Sequence, residues 1–262
     1  MTKIIILGSG AAPGVPSLSN GWGNCNPNNP YNRRRRTGTY YDFASAKILV
    51  DTSPDLRLQL LDNNIRYLDA VLYTHAHADH LHGIDYLREI NRINKCNLDF
   101  YATAKVLKTI KNMFGYLITS PKKVKDVVSY PSLVANKIKC GKEFLVGDVK
   151  IVPLKLDGHN TFSNGYMFND GEIVHLADFK RIPDSTLKLL QKKHINLMIM
   201  PLTLPEGSIY HVGLNEVLEY IRILQPQKVV LNHMASECDF DEINALTPDN
   251  VFPAYDNMII EL

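Results

Sequence analysis

Residues 70–83 read AVLYTHAHADHLHG, a short apolar run followed at once by His75, His77, Asp79 and His80. An apolar run of this length bounded by polar residues predicts a buried strand. The pattern His75-x-His77-x-Asp79-His80 therefore falls in the turn that leaves a strand end. A lone histidine is usually a satisfied structural residue, but three within six residues at a strand end are hard to explain as packing. Imidazole nitrogen and carboxylate oxygen are ligands for zinc, manganese or iron. Two histidines two residues apart can grip one ion from a tight turn. The adjacent Asp79–His80 pair points elsewhere and can serve a second ion. One turn saturates neither ion, so the fold must bring further ligands to the same place, and strand ends at one edge of a sheet do this.

The chain offers three such ligands, each near the end of a predicted strand. His159 follows KIVPLKL, Asp178 follows EIVHLA and His233 follows KVVLN. Further strands are predicted at KIIILG, TYYDF, KILVD, DFYAT, YMF and NLMIMP. Helical patterns fall at TSPDLRLQLLDNN, with Ser53 as N-cap and Pro54 in the first turn, and at HGIDYLREINRI, AKVLKTIKNMF, DSTLKLLQKK and GLNEVLEYIRIL. Strands and helices alternate in both halves without a linker, repeat or low-complexity tract. This predicts one domain over residues 1–262 of the α/β class, with helices layered on sheets. Residues 115–140 are less regular and are expected to be a lid or insertion, with a plain surface excursion as the alternative. Gly8, Gly10 and Gly14 loosely imitate a dinucleotide fingerprint, but Pro13 and Pro16 fall where its helix would have to open.

Composition removes several classes of function. The formal charge is only +2 on 262 residues, which argues against indiscriminate nucleic-acid binding. No apolar run approaches a membrane span, and the N-terminus does not read as a signal peptide. Cys25, Cys96, Cys140 and Cys238 form no CxxC pair. Reduced thiols and a cytoplasmic location are expected.

With its distal His, Asp and His at strand ends, the HxHxDH motif resembles the metallo-β-lactamase superfamily of metal-dependent hydrolases, across essentially the whole chain. The resemblance implies a four-layer αββα sandwich with a two-metal site at one edge. It implies one ion on His75, His77 and His159, another on Asp79, His80 and His233, and Asp178 between them. It also implies that Asp51, which ends KILVD, braces the metal loop through hydrogen bonds. The opening GSGAAPGVP, a cysteine-containing loop and an arginine-rich segment are similar to the phosphoribosyl 1,2-cyclic phosphate phosphodiesterase branch. That branch carries a structural zinc on cysteines in this loop. Here the loop reads GWGNCNPNNP, with Gly23 and Asn28 at the neighbouring cysteine positions and only Cys25 remaining.

The expected function is a dinuclear-metal phosphodiesterase acting on a nucleotide or cyclic phosphate. Two divalent ions, zinc or manganese with iron admitted, would share a water and lower its pKa. The resulting bridging hydroxide would be the nucleophile. Asp79 would ligate and orient that hydroxide, and His211 would serve as general acid or oxyanion partner; a histidine merely capping a loop is the alternative. Of the remaining histidines, His82 reads as a neighbour of the motif, His175 as a strand residue and His194 as solvent-facing. Arg33, Arg34, Arg35 and Arg36 form a run in which alternation would turn two guanidinium groups to the cleft as phosphate clamps. The alternative is that all four are solvated or bound to surface carboxylates. Other functions kept open are thioester, lactone or amide hydrolysis on the same site, tRNA 3′-end processing, and RNA binding. The expected partner is a small phosphodiester or nucleotide. Nucleic acid is admitted but not favoured, no membrane is involved, and a homodimer is admitted.

Overall fold

A computed structural model describes residues 1–119 and 131–262. The first half runs β1 (Lys3–Gly8), β2 (Gly38–Asp42), β3 (Lys47–Val50), α1 (Leu56–Asp62), β4 (Ala70–Leu72), α2 (Ala78–Leu81), α3 (Leu87–Asn94), β5 (Leu98–Thr103), α4 (Ala104–Phe114) and β6 (Leu133–Ile138). The second runs β7 (Phe144–Val146), β8 (Val149–Leu156), β9 (Ser163–Phe168), β10 (Ile173–His175), α5 (Asp184–Leu190), β11 (Leu197–Pro201), α6 (Leu214–Leu224), β12 (Lys228–Asn232), α7 (Phe240–Leu246), β13 (Val251–Pro253) and β14 (Met258–Glu261).

Two sheets of seven strands each result, in the orders β14-β1-β2-β3-β4-β5-β6 and β13-β12-β11-β10-β9-β8-β7. Each combines an antiparallel meander with a parallel half: β3 to β6 are parallel in the first sheet and β10 to β13 in the second. Parallel strands are buried on both faces, and the first sheet shows this residue by residue. Ile4, Ile6, Ile48, Val50, Ala70 and Leu72 face the second sheet. Ile5, Leu7, Leu49 and Val71 face the other way, against Leu56 and Leu60 of α1, Leu87 and Ile90 of α3 and Val106 and Ile110 of α4. The second sheet packs the first on one side, with Val217 and Ile221 of α6 and Leu190 of α5 in the same core. The architecture is the expected α/β sandwich of helix, sheet, sheet and helix.

Several local features differ from the sequence pattern. The first helix starts at Leu56, after a turn in which Ser53 Oγ accepts from Asp55 N at 3.2 Å, so Ser53 and Pro54 precede the helix. No helix opens at the glycines after β1. Part of the expected insertion is regular structure: Gly115–Leu117 is a short 3-10 turn, and β6 is the edge strand of the first sheet, parallel to β5. The rest of that expectation, residues 120–130, lies outside the described residues. No helix among the described residues is long and apolar enough to cross a membrane.

Candidate metal centre

The parallel halves set up the site. β4, β10 and β12 end at the same edge of the sandwich, and the residues just past their ends turn toward one another. Asp51 and His233, which follow β3 and β12, have positive φ values of 63° and 60°. Non-glycine residues adopt this conformation at a cost of about 1–2 kcal/mol each, and such strain concentrates where geometry serves a site.

His75 and His77 follow β4; His77 is extended, with φ −69° and ψ 153°, and α2 begins at Ala78. His77 Nδ1 lies 3.0 Å from His159 Nε2, and ligand atoms of His75, His77 and His159 fall within 4.8 Å of one another. A second group with the same spacing comprises Asp79, His80 and His233. There His80 Nε2 and His233 Nε2 are 3.3 Å apart, and His233 Nε2 is 3.2 Å from Asp79 Oδ2. Asp178 lies between the groups. Its Oδ2 is 3.3 Å from His233 Nε2, 3.6 Å from His80 Nε2 and 3.9 Å from both His75 Nε2 and His159 Nε2. All seven residues singled out as ligands in the sequence are thus brought together.

Asp51 stands behind this cluster. It accepts from Thr74 N at 2.9 Å and from Thr74 Oγ1 at 2.6 Å, and its Oδ2 is 2.7 Å from His80 Nδ1. With an ion bound, the last contact would keep the His80 proton on Nδ1 and turn the Nε2 lone pair to the ion, the usual role of a carboxylate behind a ligating imidazole.

Electrostatics follow from burial and crowding. Burial pushes His75 far below its ordinary pKa, helped by repulsion from His80. Burial alone would also lower His80, but Asp79, Asp51 and the hydrogen bonds to Asp178 and Asp51 outweigh it and raise the pKa. Burial would raise Asp79 and Asp178; the surrounding imidazoles outweigh it and hold both well below the carboxylate range. The donor set fits a divalent cation. Imidazole nitrogens face each other in two pairs, His77 Nδ1 with His159 Nε2 and His80 Nε2 with His233 Nε2. Buried His75 Nε2 and Asp178 Oδ1 have no hydrogen-bond partner. Buried polar atoms are otherwise satisfied, so orphans converging on one point mark a place for a ligand.

His211 sits beside this cluster. Its ring centroid is 4.8 Å from that of His159, and it shares a further group of the same spacing with His159 and Asp178. Burial pushes its pKa down to about 4, so the ring is neutral at pH 7. It does not cap α6, whose N-cap is Gly213. His82 is exposed and rests edge-on against Phe114, facing away from the cluster. His175 Nδ1 is 2.7 Å from Tyr41 OH inside the sandwich. His194 is exposed, as expected, with Nε2 at 2.8 Å from Gln227 Nε2. Sequence reasoning missed Thr203, whose Oγ1 contacts both His211 and His233. Its only signal was a polar residue just past the apolar strand NLMIMP.

The arginine run is arranged differently from the expected clamp. Arg34 is 2% exposed; its Nη1 donates to Ala235 O at 3.2 Å and its Nη2 to Asn32 Oδ1 at 3.1 Å. Arg36 holds Asp55 through Nε at 2.8 Å and Nη2 at 2.6 Å. Arg35 pairs with Asp62 at 2.6 Å, and Arg33 lies over the Trp22 ring. Carboxylates, carbonyls and one aromatic ring of the protein engage all four, because each guanidinium meets a partner on a neighbouring loop before it reaches the cleft. Arg34 also lies against the two buried thiols of its loop, with Nη1 at 3.8 Å from Cys25 Sγ, which itself donates to Cys238 O at 3.4 Å. Burial pushes the Cys238 thiol up to about 12. Among the described residues, no group spaced to hold a metal contains a cysteine.

A family model for the β-lactamase superfamily domain matches residues 46–234, which contain every residue of the cluster. The chain belongs to the metallo-β-lactamase superfamily. Among solved structures of this superfamily, a diphosphatase of the PhnP family is 25% identical, with TM-score 0.88 over 100% of this chain and 98% of that one. Zn²⁺-bound PqqB from Methylobacterium extorquens is 17% identical, with TM-score 0.75 over 99% and 100%. The chain is also 28% identical over 258 residues to an octanoyltransferase of Porphyromonas gingivalis, covering 98% of this chain and 51% of that protein. It therefore spans about half the length of that curated relative. Superfamily membership and the His/Asp clusters fit a site for divalent metal.

Proposed function

We propose that the protein is a dinuclear-metal phosphodiesterase acting on a nucleotide or cyclic phosphate. The observation that carries this reading is the pair of ligand groups, one buried and one half-buried, meeting at Asp178 Oδ2 in a fold similar over its whole length to a diphosphatase. His75, His77 and His159 would hold one divalent ion, Asp79, His80 and His233 the other, and Asp178 both. Donors of nitrogen and oxygen without thiolate suit zinc or manganese and admit iron. Bound there, two such ions polarise phosphoryl oxygens and make a water nucleophilic near neutral pH.

The chain's own groups supply the rest. Asp51 keeps His80 in one tautomer and ties Thr74 to it, so the turn that carries the motif is held rigid. Asp79, ionised at neutral pH, accepts a hydrogen bond from the attacking water and orients it. His211 donates to the oxygen of the leaving group or to the charge that develops on phosphorus oxygens. Substrate fits in a groove of about 320 Å³ lined by Thr103, Lys105, Ile138, Lys139, Lys155 and Phe162. Thr103 ends β5, the strand beside β4, after which His75 follows. Lys105, which lies over the Phe162 ring, and Lys139 bring positive charge to that groove, while Lys155 pairs with Asp157 at 3.1 Å. All four cysteines are unpaired, which supports a reducing cytoplasmic location.

A second reading, hydrolysis of an acyl thioester or amide, is favoured by the likeness to an octanoyltransferase and by the largely apolar floor of the same groove. A panel of substrates separates the two. With zinc or manganese added, the protein is expected to cleave bis-p-nitrophenyl phosphate and at least one cyclic nucleotide or dinucleotide, and to leave an octanoyl thioester intact. Turnover of the thioester alone overturns the phosphodiesterase reading. Salt-dependent binding of short RNA without any cleavage would make the protein an RNA-binding module.

A further inference from the structure

Thr203 follows β11 and reaches between two imidazoles. Its Oγ1 lies 3.0 Å from His233 Nδ1 and 3.1 Å from His211 Nδ1. Among the described residues this hydroxyl has no other partner. A hydroxyl carries one proton and two lone pairs, and a neutral imidazole carries one proton on one of its two nitrogens. These counts leave few arrangements.

The Nε2 of His233 faces the cluster, at 3.2 Å from Asp79 Oδ2 and 3.3 Å from Asp178 Oδ2. If that nitrogen offers its lone pair to an ion, the His233 proton sits on Nδ1 and is donated to Thr203 Oγ1. The proton of Thr203 is then free for the other nitrogen in reach, His211 Nδ1. An imidazole that accepts at Nδ1 carries its own proton on Nε2. One hydroxyl thereby converts ligation by His233 into a defined tautomer of His211.

We infer that Thr203 is a positioning residue that holds His211 as the Nε2–H tautomer. His211 then presents a hydrogen-bond donor, not an acceptor, toward the reacting phosphoryl group. His211 acts on the leaving oxygen or the developing oxyanion and does not serve as the base that activates water. The step balances simply: as the phosphorus–oxygen bond to the leaving group breaks, its electron pair stays on the leaving oxygen, which takes the Nε2 proton. As the Thr203 proton shifts to His211 Nδ1 and the His233 Nδ1 proton follows onto Thr203, the negative charge passes to the His233 ring, which is neutralised by taking back a proton from the water that replaces the product. The inference rests on the ligand role of His233 and on the phosphodiesterase reading.

The test uses zinc-loaded full-length protein with ¹⁵N-labelled histidine, the His211 signals being assigned by their loss in H211N. Long-range ¹H–¹⁵N correlation is expected to show His211 protonated at Nε2 and bare at Nδ1. In T203V that single tautomer should be lost, whereas T203S should restore it. Zinc content and circular dichroism are expected to be unchanged in both variants. With a simple alkyl leaving group, T203V should lower kcat about 100-fold while KM holds, but with p-nitrophenolate, which needs no proton, by less than about 3-fold. A His211 protonated at Nδ1 in the wild type overturns the inference. So does a T203V loss that is equal for both leaving groups. A wild-type protein that cleaves no phosphodiester defeats the function reading instead, and the nitrogen spectrum still decides the role of Thr203.

Discussion

Residues 74–80 and residues 33–36 are both short runs crowded with ionisable side chains, and they end in opposite states. In the histidine motif, ring nitrogens and carboxylate oxygens from four loops turn inward on one point, and buried His75 Nε2 and Asp178 Oδ1 remain without partners. In the arginine run each guanidinium diverges to its own protein partner: Arg34 to Ala235 and Asn32, Arg35 to Asp62, Arg36 to Asp55 and Arg33 to Trp22. Density of charge in the sequence is common to both. Arg34 Nε also lacks a hydrogen-bond partner, but convergence of ligand atoms on one point belongs to the first alone, and that is what separates a reactive centre from a structural staple.

Breaking the convergent region should have the largest effect. Asp178→Asn removes the carboxylate that both ligand groups share. Metal content by elemental analysis is expected to fall below two ions per chain, and turnover of a phosphodiester to fall about 1,000-fold, since such an ion contributes several kcal/mol. Two ions retained with normal turnover would remove Asp178 from the ligand set. Asp51→Asn leaves every proposed ligand in place but weakens the bond that orients His80. A loss of about 10–100-fold in zinc affinity is expected, measured by competition with a chelator.

The divergent region should respond in stability and not in kinetics. Arg34→Ala removes a buried charged donor from Ala235 O and Asn32 Oδ1, which keep only their bonds from Cys238 N and Phe240 N. About 3 kcal/mol of unfolding free energy should be lost in urea titrations, with KM for substrate unchanged in the protein that remains folded. A raised KM with unchanged stability would restore this arginine as a substrate contact. Arg36→Ala should be milder, about 1 kcal/mol or less for a half-exposed pair. Burial would raise the Asp55 pKa, but the Arg36 hydrogen bonds outweigh it and hold the value below the ordinary 3.8. The stability from this contact is therefore present above that ordinary value and is lost as pH falls through the lower folded value. Urea midpoints of wild type and Arg36→Ala should differ at pH 7 and draw together as the pH drops below 3.8. A difference that persists in acid would assign the effect to packing of the arginine stem.

Much of the site was legible because its signal is local. The apolar run AVLYT and the spacing of His75, His77, Asp79 and His80 lie within one strand and one turn, where chemistry and geometry are both written in adjacent residues. His159, Asp178 and His233 were legible for a related reason: each lies close behind an apolar run, and buried parallel strands end at a common edge. Thr203 was not legible, since a threonine past a strand carries no pattern and its meaning lies in two histidines 8 and 30 residues away. The arginines misled because alternation along an extended segment says which side chains share a side, but not what waits there. The Ser53 cap failed on a similar point. The residue accepts from Asp55 N in a turn ahead of the helix, and only the path of the chain around Arg36 and Asp55 decides where the first helical turn begins.

By itself, then, the sequence determined the kind of site: a cluster of imidazole and carboxylate suited to divalent metal, placed at strand ends in an alternating α/β chain. Side-chain type and local spacing suffice for that, because ligand preference belongs to the atoms and strand burial to the apolar pattern. Tertiary structure alone decided how that capacity is shared out. It set Asp178 between two ligand groups, Asp51 behind His80 and Thr203 between His211 and His233, and it bound the arginines to their own carboxylates and carbonyls. Which polar atoms meet, and which are left over, depends on loops far apart in the chain arriving within hydrogen-bond reach, and no local pattern carries that distance.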